Sequence, residues 1–385
     1  MDEFLFGLAV ATLLFTTVVF LTFWNANRRM PRIRDMDLPP DDWPAPTVSI
    51  IVAARNEERH VEDAVNTLLE IDYPAVDLLV VDDRSTDSTG AILDRLSARD
   101  ERVNVVHIAE LPAGWLGKNH ALQFGSERAA GEYLLFTDAD IMFESSMLRR
   151  SVFYAQSEGI DHLTAAPDTR VPGFFLNSFV ATFTIFFSAY FRPWKASDPR
   201  SKCFVGIGAF NLVRRDVYEA IDGHRPIAMR PDDDVKLGKL IKMNGYRQQF
   251  VLGLDTLTVP WYGSIGELIV GLEKNAFAAT DYRLSLVIFG TSVMLIANVW
   301  PFLGVFATGG WTRWLNLTTS LILISCCWNS ARNLKQSGLC GLGFPVAVLM
   351  FIYIQWRSTL LVLTRRGIRW RDTFYPIDEL RANRI

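Results

Sequence analysis

The sequence predicts an α/β fold, with a mostly parallel sheet covered by helices and with transmembrane helices at its N- and C-terminal sides. Two observations lead to this prediction. Between Thr47 and Asp138, short apolar runs alternate with amphipathic stretches, an order typical of parallel sheets whose strands are joined by helices. Long apolar runs flank this region, and 50% of the 385 residues are hydrophobic. We therefore expect one globular domain combined with several membrane segments.

Four short runs rich in valine, leucine and isoleucine have the length and composition of buried strands. They are residues 48–54, 77–83, 103–108 and 132–138. Apolar residues at helical spacing predict the helices between them, at residues 57–69, 85–98 and 118–129. In an open parallel sheet, ligands bind at the carboxyl ends of the strands. The polar residues that follow these strands are therefore the candidate site.

The first apolar run, from Phe4 to Trp24, is uncharged and long enough to span a bilayer. A cleaved signal peptide would carry positive charge before this run, whereas Asp2 and Glu3 stand there, so we favour a retained anchor over residues 1–27. The residues that follow, 28–46, are predicted to be a proline-rich linker. Arginines at the start of this linker indicate a cytosolic location: Arg28, Arg29, Arg32 and Arg34.

Three more apolar runs predict a C-terminal membrane region over residues 281–364. They are 284–307, 314–328 and 339–363. If all three crossed the bilayer, the basic tail at 365–385 would lie outside, against the positive-inside tendency. We therefore expect two or three helices, one of them re-entrant or interfacial, and a cytosolic tail. A further apolar run at 174–191 contains Asn177, which favours a buried or membrane-surface helix over a span.

Net charge and cysteine content narrow the class of protein. The formal net charge of −3 provides no general attraction to nucleic acid. The four cysteines have no metal-ligand spacing, and Cys326 and Cys327 are adjacent within an apolar run. Structural cysteines in a reducing compartment fit this pattern. Together with the apolar runs, these features indicate an integral protein of the cell inner membrane whose globular domain faces the cytosol.

The sharpest local motif is the pair Asp138 and Asp140, separated by Ala139 and placed just after a predicted strand. Two such carboxylates can hold a divalent cation, Mg²⁺ or Mn²⁺, together with phosphate oxygens of a substrate. The alternative is a solvated aspartate turn. The strand that precedes the motif favours the metal.

Two further features follow predicted strands. Asp82 and Asp83 end the second strand, where a carboxylate can accept a hydrogen bond from a nucleotide base; capping of the next helix is the alternative. Lys118 lies in the sequence GWLGKNHAL at a predicted helix start, where an ammonium suits phosphate or nucleotide. An exposed surface lysine is the alternative there.

Three acids precede an amphipathic helix in the sequence PDDDVKL, residues 231–237. Acids at a helix N-terminus are favourable by electrostatics alone, so simple pairing with the helix dipole is one interpretation. The functional interpretation is a general base that removes the proton from an acceptor hydroxyl, a role that contributes about 10²–10⁴ in rate.

Together, these motifs resemble glycosyltransferase family 2, whose members have the GT-A fold. The resemblance covers roughly residues 47–240 and implies a cytosolic GT-A catalytic domain over residues 47–280. Members of this family have an Asn-Glu turn after the first strand, an aspartate pair before serine or glycine, a metal-binding DxD and an acidic pair followed by x-x-Leu. Here these are Arg55-Asn56-Glu57, VVDDRSTD, Asp138 to Asp140, and Asp233-Asp234-Val235-Lys236-Leu237.

The resemblance implies roles for individual residues. Asp138 and Asp140 would hold the metal and the diphosphate, with Asp140 the more direct ligand. Asp234 would be the catalytic base, with Asp233 beside it. The residues expected to bind the nucleotide sugar are Ala53, Arg55, Glu57, Asp82, Asp83, Lys118, Asp138, Ala139 and Lys274.

One motif of the family is missing. Many members that polymerise sugars or modify lipids carry Gln/Arg-x-x-Arg-Trp after the acidic pair, whereas the nearest stretch here is Gly271 to Asn275. Lys274 stands where the arginine would approach the diphosphate, but no tryptophan follows it. This departure argues against a cellulose- or chitin-type polymerase. Trp261 and Tyr262 are candidates for the acceptor platform, with aromatic core packing as the alternative.

Finer similarities point to a subgroup. The GWLGK run resembles glycosyltransferases associated with hopanoids and carotenoids. The stretch VGIGAFNLVRR, whose Gly206 and Gly208 would let the backbone approach the sugar, resembles ceramide glucosyltransferase relatives, as does the tail IRWRDTFYP.

The resemblance implies an inverting, metal-dependent enzyme that moves a sugar from a nucleotide diphosphate, expected to be uridine-linked by family habit, to the hydroxyl of a membrane lipid. Glycosyl transfer to a polyprenyl phosphate and polysaccharide elongation are alternatives. A non-catalytic membrane scaffold or nucleotide-sugar sensor is a further one.

Overall fold

A computed structural model describes residues 2–383 and Ile385, which form two compact units. The sheet unit comprises Met30–Arg170, Arg192–Pro260 and Asp378–Ile385. The helical unit comprises Met1–Arg29, Val171–Phe191 and Trp261–Ile377. Compactness alone does not locate a membrane, so the domain boundaries predicted from the sequence stay predictions.

The sheet unit is built on an eight-stranded, mostly parallel sheet, which confirms the predicted fold class. Its strands are β1 Val48–Ala54, β2 Val76–Asp83, β3 Val103–Ile108, β4 Tyr133–Asp138, β5 Met142–Phe143, β6 His162–Arg170, β7 Asn211–Arg214 and β8 Gln248–Pro260. Their order across the sheet is β3-β2-β1-β4-β7-β6-β8-β5. Strands β1 to β4 are parallel, whereas β7 runs antiparallel to both β4 and β6.

The helices, numbered along the whole chain, connect the strands and build the helical unit. They are α1 Asp2–Arg29, α2 Val61–Leu69, α3 Thr89–Arg99, α4 Gly117–Ser126, α5 Met147–Ser157, α6 Gly173–Phe191, α7 Arg215–Ala220, α8 Asp233–Met243, α9 Ile265–Ala276, α10 Leu284–Met294, α11 Trp300–Ala307, α12 Gly310–Asn333, α13 Phe344–Arg365 and α14 Ile377–Ala382. A hairpin of β9 Gly367–Trp370 and β10 Thr373–Pro376 precedes α14.

The register of the central strands brings the predicted site to one edge of the sheet. Ala54 at the end of β1 pairs with Asp82 on β2, and Ala53 pairs with Asp138 on β4. Because these strands are parallel, their carboxyl ends meet at the same edge. The core of β1 is fully buried at Ile50 and Ile51, as expected of a parallel strand covered on both faces.

The predicted linker packs against the sheet unit. Ile33 is fully buried, and the N–H of Leu252 on β8 donates to the carbonyl of Pro31. Trp43 packs edge-on against Tyr73 and Phe153, with ring centroids 6.1 and 5.6 Å away. The proline-rich segment is therefore a structural part of the unit.

Four helical segments among the described residues are long and apolar enough to cross a membrane. They are Asp2–Arg29, Gly173–Lys195, Leu284–Ala307 and Gly338–Arg365. The second contains α6, which the sequence favours as a buried or surface helix. The sheet unit ends at Arg170, before α6, and resumes at Arg192, after it. Both ends of α6 are therefore joined in sequence to the sheet unit.

Several polar side chains inside the helical unit have local partners. Thr319 and Ser320 on α12 are buried, and each hydroxyl donates to a carbonyl one turn earlier. Arg357 on α13 lies 3.5 Å from Glu273 on α9. A lone arginine at the centre of a membrane helix costs about 2.5–3.5 kcal/mol on insertion scales, so this pairing accounts for its presence in an apolar run.

A buried polar network fixes the segment between β6 and β7. His162 accepts a hydrogen bond at Nδ1 from the Gln248 amide (2.7 Å), and its Nε2–H donates to Asn211 (2.9 Å). Gln248 accepts from the N–H of Val205, and Asn211 donates to the carbonyl of Ile207. The neutral imidazole therefore ties both ends of the segment 205–211 to the sheet.

This network predicts a stability difference that depends on pH. Burial lowers the pKa of His162 from 6.5 to about 4, so between these values the unfolded chain binds a proton that the folded chain does not. The penalty appears as the pH falls below 6.5 and amounts to about 2 kcal/mol at pH 5. We therefore expect the melting temperature of the wild type to approach that of His162→Gln between pH 7 and pH 5, measured by thermal unfolding in detergent.

The matched control is His60→Gln, which removes a partly exposed histidine of the same unit. Its melting curve should follow that of the wild type in parallel across this pH range. A His162→Gln variant that also runs parallel to the wild type would show that this imidazole titrates normally.

Candidate active site

The first two loops at this edge of the sheet are hydrogen-bonded to each other. The N–H groups of Asn56 and Glu57 donate to the hydroxyls of Ser85 and Thr89, at 3.0 and 2.8 Å. In return, the Asn56 side chain accepts from the N–H of Thr86 at 2.8 Å. Asn56 has a φ of 54°, a left-handed conformation that asparagine tolerates well. The predicted Asn-Glu turn is thus built into the loop that follows β2.

Asp83 is buried at the end of β2 and held by two arginines. Arg84 donates to both of its carboxylate oxygens, at 2.8 and 3.2 Å, and Arg55 Nη1 lies 3.5 Å from Oδ2. A Cβ at Gly117 would lie 2.1 Å from the same Oδ2, so only glycine fits beside it. A nucleotide base that binds Asp83, as the sequence predicts, would have to share this carboxylate with Arg84.

Asp82 has partners of a different kind. It accepts from the N–H of Ser85 at 3.1 Å and contacts His107 Nδ1 at 2.8 Å. Hydrogen bonds to Asp82 and Asp94 raise the pKa of His107, which favours the charged imidazole beside Asp82. Asp82 therefore holds together the turn that follows β2. Its contact with a nucleotide stays a prediction.

Lys118 lies between carboxylates from two separate loops. Its Nζ is 2.7 Å from Asp138 Oδ1 and 3.4 Å from Asp233 Oδ2. Burial lowers the pKa of Lys118, but Asp138, Asp233 and Asp234 raise it by more, so the net shift is upward. The residue is a charged ammonium within an acidic cluster. The alternative of an ordinary surface lysine does not fit this environment.

The residue after Lys118 fixes the helix start on which it lies. The Asn119 amide donates to the carbonyls of Ile227 and Arg230, at 2.8 and 2.9 Å, and the N–H of Leu116 donates to Ala228 at 2.8 Å. The start of α4 and the loop before α8 therefore form one hydrogen-bonded block.

Asp140 lies beside other acids and is the better candidate for a metal ligand. Burial, and then the charges of Asp138 and Glu57, raise its pKa to about 7. A divalent cation would relieve this repulsion, so the oxygen donors fit Mg²⁺ or Mn²⁺. Among residues 2–383 and 385, no group of three or more acidic, histidine or cysteine side chains forms a complete metal site. Ala139, between the two aspartates, is buried.

The three consecutive acids before α8 each have a different partner. Asp232 forms a two-pronged ion pair with the buried Arg230, at 2.9 and 3.0 Å. Asp233 pairs with Lys118. Asp234 instead accepts from two backbone N–H groups, those of Gly208 (2.7 Å) and Val235 (2.8 Å). Burial and the neighbouring Asp233 raise the pKa of Asp234 to about 7, although Lys118 and Val235 oppose this rise.

Two glycines let the segment before β7 approach these acids. A Cβ at Gly206 would lie 1.8 Å from the backbone oxygen of Asp234, and one at Gly208 would lie 2.6 Å from Asp138 Oδ2. Gly208 therefore lies between Asp234, whose carboxylate its N–H binds, and Asp138. The sequence predicts that these glycines allow a close backbone approach, and the structure shows that the neighbours include the acids.

Three predicted residues belong to the helical unit. Trp261 and Tyr262 pack with Phe183, Leu268 and other apolar side chains there, the arrangement expected of core aromatics. Lys274 Nζ lies 3.8 Å above the ring of Trp370. The family motif would place a tryptophan directly after this position; here a tryptophan from the tail makes the contact. The roles of these residues toward an acceptor or diphosphate stay predictions.

Sequence reasoning missed three side chains that shape the site: Arg84, Asn119 and Arg230. Each is adjacent to, or two residues from, a predicted residue, and this proximity is the only sequence signal for them. Arg230 is 2% exposed, and a buried arginine needs a carboxylate partner, which Asp232 provides.

With the geometry established, comparison with known proteins shows which family the sheet unit resembles. Residues 49–222 match the family model "Glycosyl transferase family 2". A putative teichuronic acid biosynthesis glycosyltransferase of Bacillus subtilis is 35% identical over 107 residues, which are 28% of this chain and 41% of that protein. The 4,4'-diaponeurosporenoate glycosyltransferase of Staphylococcus aureus is 26% identical over 181 residues, 46% of this chain and 47% of the relative. The chain thus spans less than half the length of these curated relatives.

A solved structure shares the fold over nearly the whole chain. The mannosyltransferase of Pyrobaculum calidifontis, in complex with GDP-Man and Mn²⁺, superposes with a TM-score of 0.56 at 20% identity, and the match covers 94% of this chain and 99% of the other. Residues 49–222 thus match glycosyltransferase family 2, and the chain has an α/β fold of the GT-A type.

Proposed function

We propose that the protein is an inverting, metal-dependent glycosyltransferase that moves a sugar from a nucleotide diphosphate to a hydroxyl of a membrane lipid. The observation that carries this proposal is the position of Gly208, whose N–H holds Asp234 while its backbone borders Asp138. A fixed carboxylate with a raised pKa thereby lies beside the carboxylates suited to a metal diphosphate. An inverting transfer by a single displacement needs both a base and a metal-bound diphosphate in the same cleft.

The donor nucleotide would bind along the joined loops after β1 and β2. Ala53, Arg55, Glu57 and Asp83 would line it, and Arg55 and Arg84, whose guanidinium groups contact Asp83, would add positive charge there. A uridine nucleotide is our first expectation. GDP-linked sugars are the second, because the mannosyltransferase that shares the fold is described with GDP-Man and Mn²⁺.

On the diphosphate side, Asp140 would be the direct metal ligand and Asp138 would assist. Mn²⁺ or Mg²⁺, when bound, supplies positive charge that stabilises the departing nucleotide diphosphate. Lys118 would add a fixed positive charge to the same edge, since its ammonium already contacts Asp138 at 2.7 Å.

On the acceptor side, Asp234 would remove the proton of the attacking hydroxyl. The N–H groups of Gly208 and Val235 fix the orientation of its carboxylate. A pKa raised to about 7 suits a base that works near neutral pH, because such a base is ionised and still binds the proton appreciably. The ion pair with Lys118 would compensate the charge of Asp233, so Asp233 and Asp234 would not both carry an uncompensated charge.

Chain connectivity supports a membrane acceptor and a cytosolic tail. The chain leaves the sheet unit at Pro260 and returns to it at Asp378, so the helices between these residues make an even number of crossings if the sheet unit lies on one side of the membrane. One of the three late helices then does not cross. The arginines that follow α1 favour the cytosolic side for the sheet unit, and a carotenoid glycosyltransferase among the relatives supports an apolar acceptor.

The first testable consequence concerns the base. We expect Asp234→Asn to lower transfer by about 10²–10⁴, because the amide cannot take the hydroxyl proton. Nucleotide affinity should stay within about twofold, measured by equilibrium binding. Asp222→Asn is the matched control, since this exposed site has a φ of 62° that asparagine accepts. Nearly full activity in Asp234→Asn would instead favour a phosphate acceptor, which needs no strong base.

The second consequence concerns the metal. Chelation with EDTA should abolish donor turnover, and Mn²⁺ or Mg²⁺ should restore it. Asp140→Asn should raise the metal concentration needed for half-maximal turnover by at least about tenfold, because one carboxylate ligand is lost. The Asp222→Asn variant again serves as control. Protein that neither turns over nor hydrolyses any donor, with or without metal, would favour the scaffold or sensor alternative.

The third consequence concerns the acceptor class. Membranes containing the protein should transfer label from a radiolabelled nucleotide sugar into the organic phase after lipid extraction, and Asp234→Asn membranes should not. The panel should include UDP-linked and GDP-linked hexoses. Label that stays in the aqueous phase, or enters only insoluble polymer, for every donor would contradict a lipid acceptor and favour polysaccharide elongation.

A further inference from the structure

We propose that residues 378–385, here called the clasp, position the acid loop, residues 226–234, for transfer. This inference rests on the proposed function, because the acid loop ends in the proposed base. The clasp lies far from the loop in sequence but belongs to the same compact unit. It therefore makes the last part of the chain a component of the active site, although none of its side chains is proposed to touch the substrate.

The central contact is the carboxamide of Asn383. Its Oδ1 accepts from the N–H of Met229 at 3.0 Å, and its Nδ2 donates to the carbonyl of Pro226 at 2.8 Å. An amide side chain that satisfies one N–H and one C=O replaces the hydrogen bonds that a neighbouring strand would give to an irregular segment. No strand among the described residues pairs with the acid loop in this stretch, so the side chain of Asn383 provides these hydrogen bonds instead.

Two further contacts seat the clasp. Leu380 is fully buried, and Ile385 packs against the core cluster that contains Ile227 and Leu240. The ammonium of Lys239 on α8 donates to the carbonyl of Ile385 at 2.6 Å. The clasp thus holds both the acid loop and the helix that follows it.

The acid loop is held from its other side by Asn119, whose amide donates to Ile227 and Arg230. Two asparagines from distant parts of the chain therefore fix one loop. The residues that follow are Asp232, Asp233 and Asp234, and Asp234 needs its carboxylate within reach of the Gly208 N–H. Loosening the loop would misplace the base while leaving the nucleotide loops after β1 and β2 in place, because those are joined by their own hydrogen bonds.

Asn383→Ala in the full-length protein tests this inference. We expect the kcat of transfer to fall about tenfold, from the loss of two hydrogen bonds to the loop, with the affinity for UDP or GDP in Mn²⁺ within about twofold of the wild type. Asn383→Gln, which keeps the amide at greater length, should be intermediate. Glu379→Ala is the matched control, since this residue is exposed on the same short helix.

Two readouts separate the clasp from general stability and from the proposed function. Hydrogen exchange in the acid loop should rise in Asn383→Ala and not in Glu379→Ala, whatever the protein's activity. A variant that ends at Ile377 should lose transfer and regain part of it when the peptide of residues 378–385 is added. Unchanged exchange and unchanged kcat would overturn the clasp. Equal losses of nucleotide binding and transfer would also overturn it, because they would indicate general unfolding. Faster exchange in a protein that shows no transfer at all would retain the clasp and contradict the proposed function.

Discussion

The ion pairs of Lys118 are the interaction on which the rest of the site depends. Its ammonium contacts Asp138 at the end of β4 and Asp233 at the start of α8, so it joins the proposed metal side to the proposed acceptor side. Without a cation here, carboxylates from both sides would face each other in a partly buried space, where like charges repel strongly. The lysine also explains why α4 starts where it does. Its neighbours Leu116 and Asn119 bind the carbonyls of the loop that carries the acids.

The part of the fold that could be predicted from the sequence is the part governed by local pattern. Strands β1 to β4 are runs of apolar residues long enough to be recognised, and each was predicted within two residues of its observed bounds. The rule that ligands meet the carboxyl ends of parallel strands then brought Asp83, Asp138 and Asp140 to one edge. Strands β6 to β8 gave no comparable signal. β7 has only four residues, and β6 contains Pro167 and Asp168.

The missed features depend on contacts between residues distant in sequence. Nothing in the spacing shows that Arg84 occupies both oxygens of Asp83, or that Asp82 contacts His107. The same holds for the linker, whose prolines indicate an extended chain but whose Ile33 and Trp43 are packed. Such contacts depend on the order of the strands in the sheet, and the residue pattern of a single sequence does not reveal that order. Lys274 is the clearest case, because its aromatic partner, Trp370, comes from another element.

The three aspartates at 232–234 show how partners, and not residue type, assign roles. Asp232 is fully engaged by the Arg230 guanidinium, which makes it a structural ion pair. Asp233 is engaged by Lys118 and so takes part in the link between the two sides. Asp234 is held by neutral donors, the N–H groups of Gly208 and Val235, which orient the carboxylate without supplying a full opposing charge. A carboxylate oriented in this way, beside a like charge and partly buried, keeps its affinity for a proton. That combination is what a base requires, and it distinguishes Asp234 from two neighbours with the same side chain.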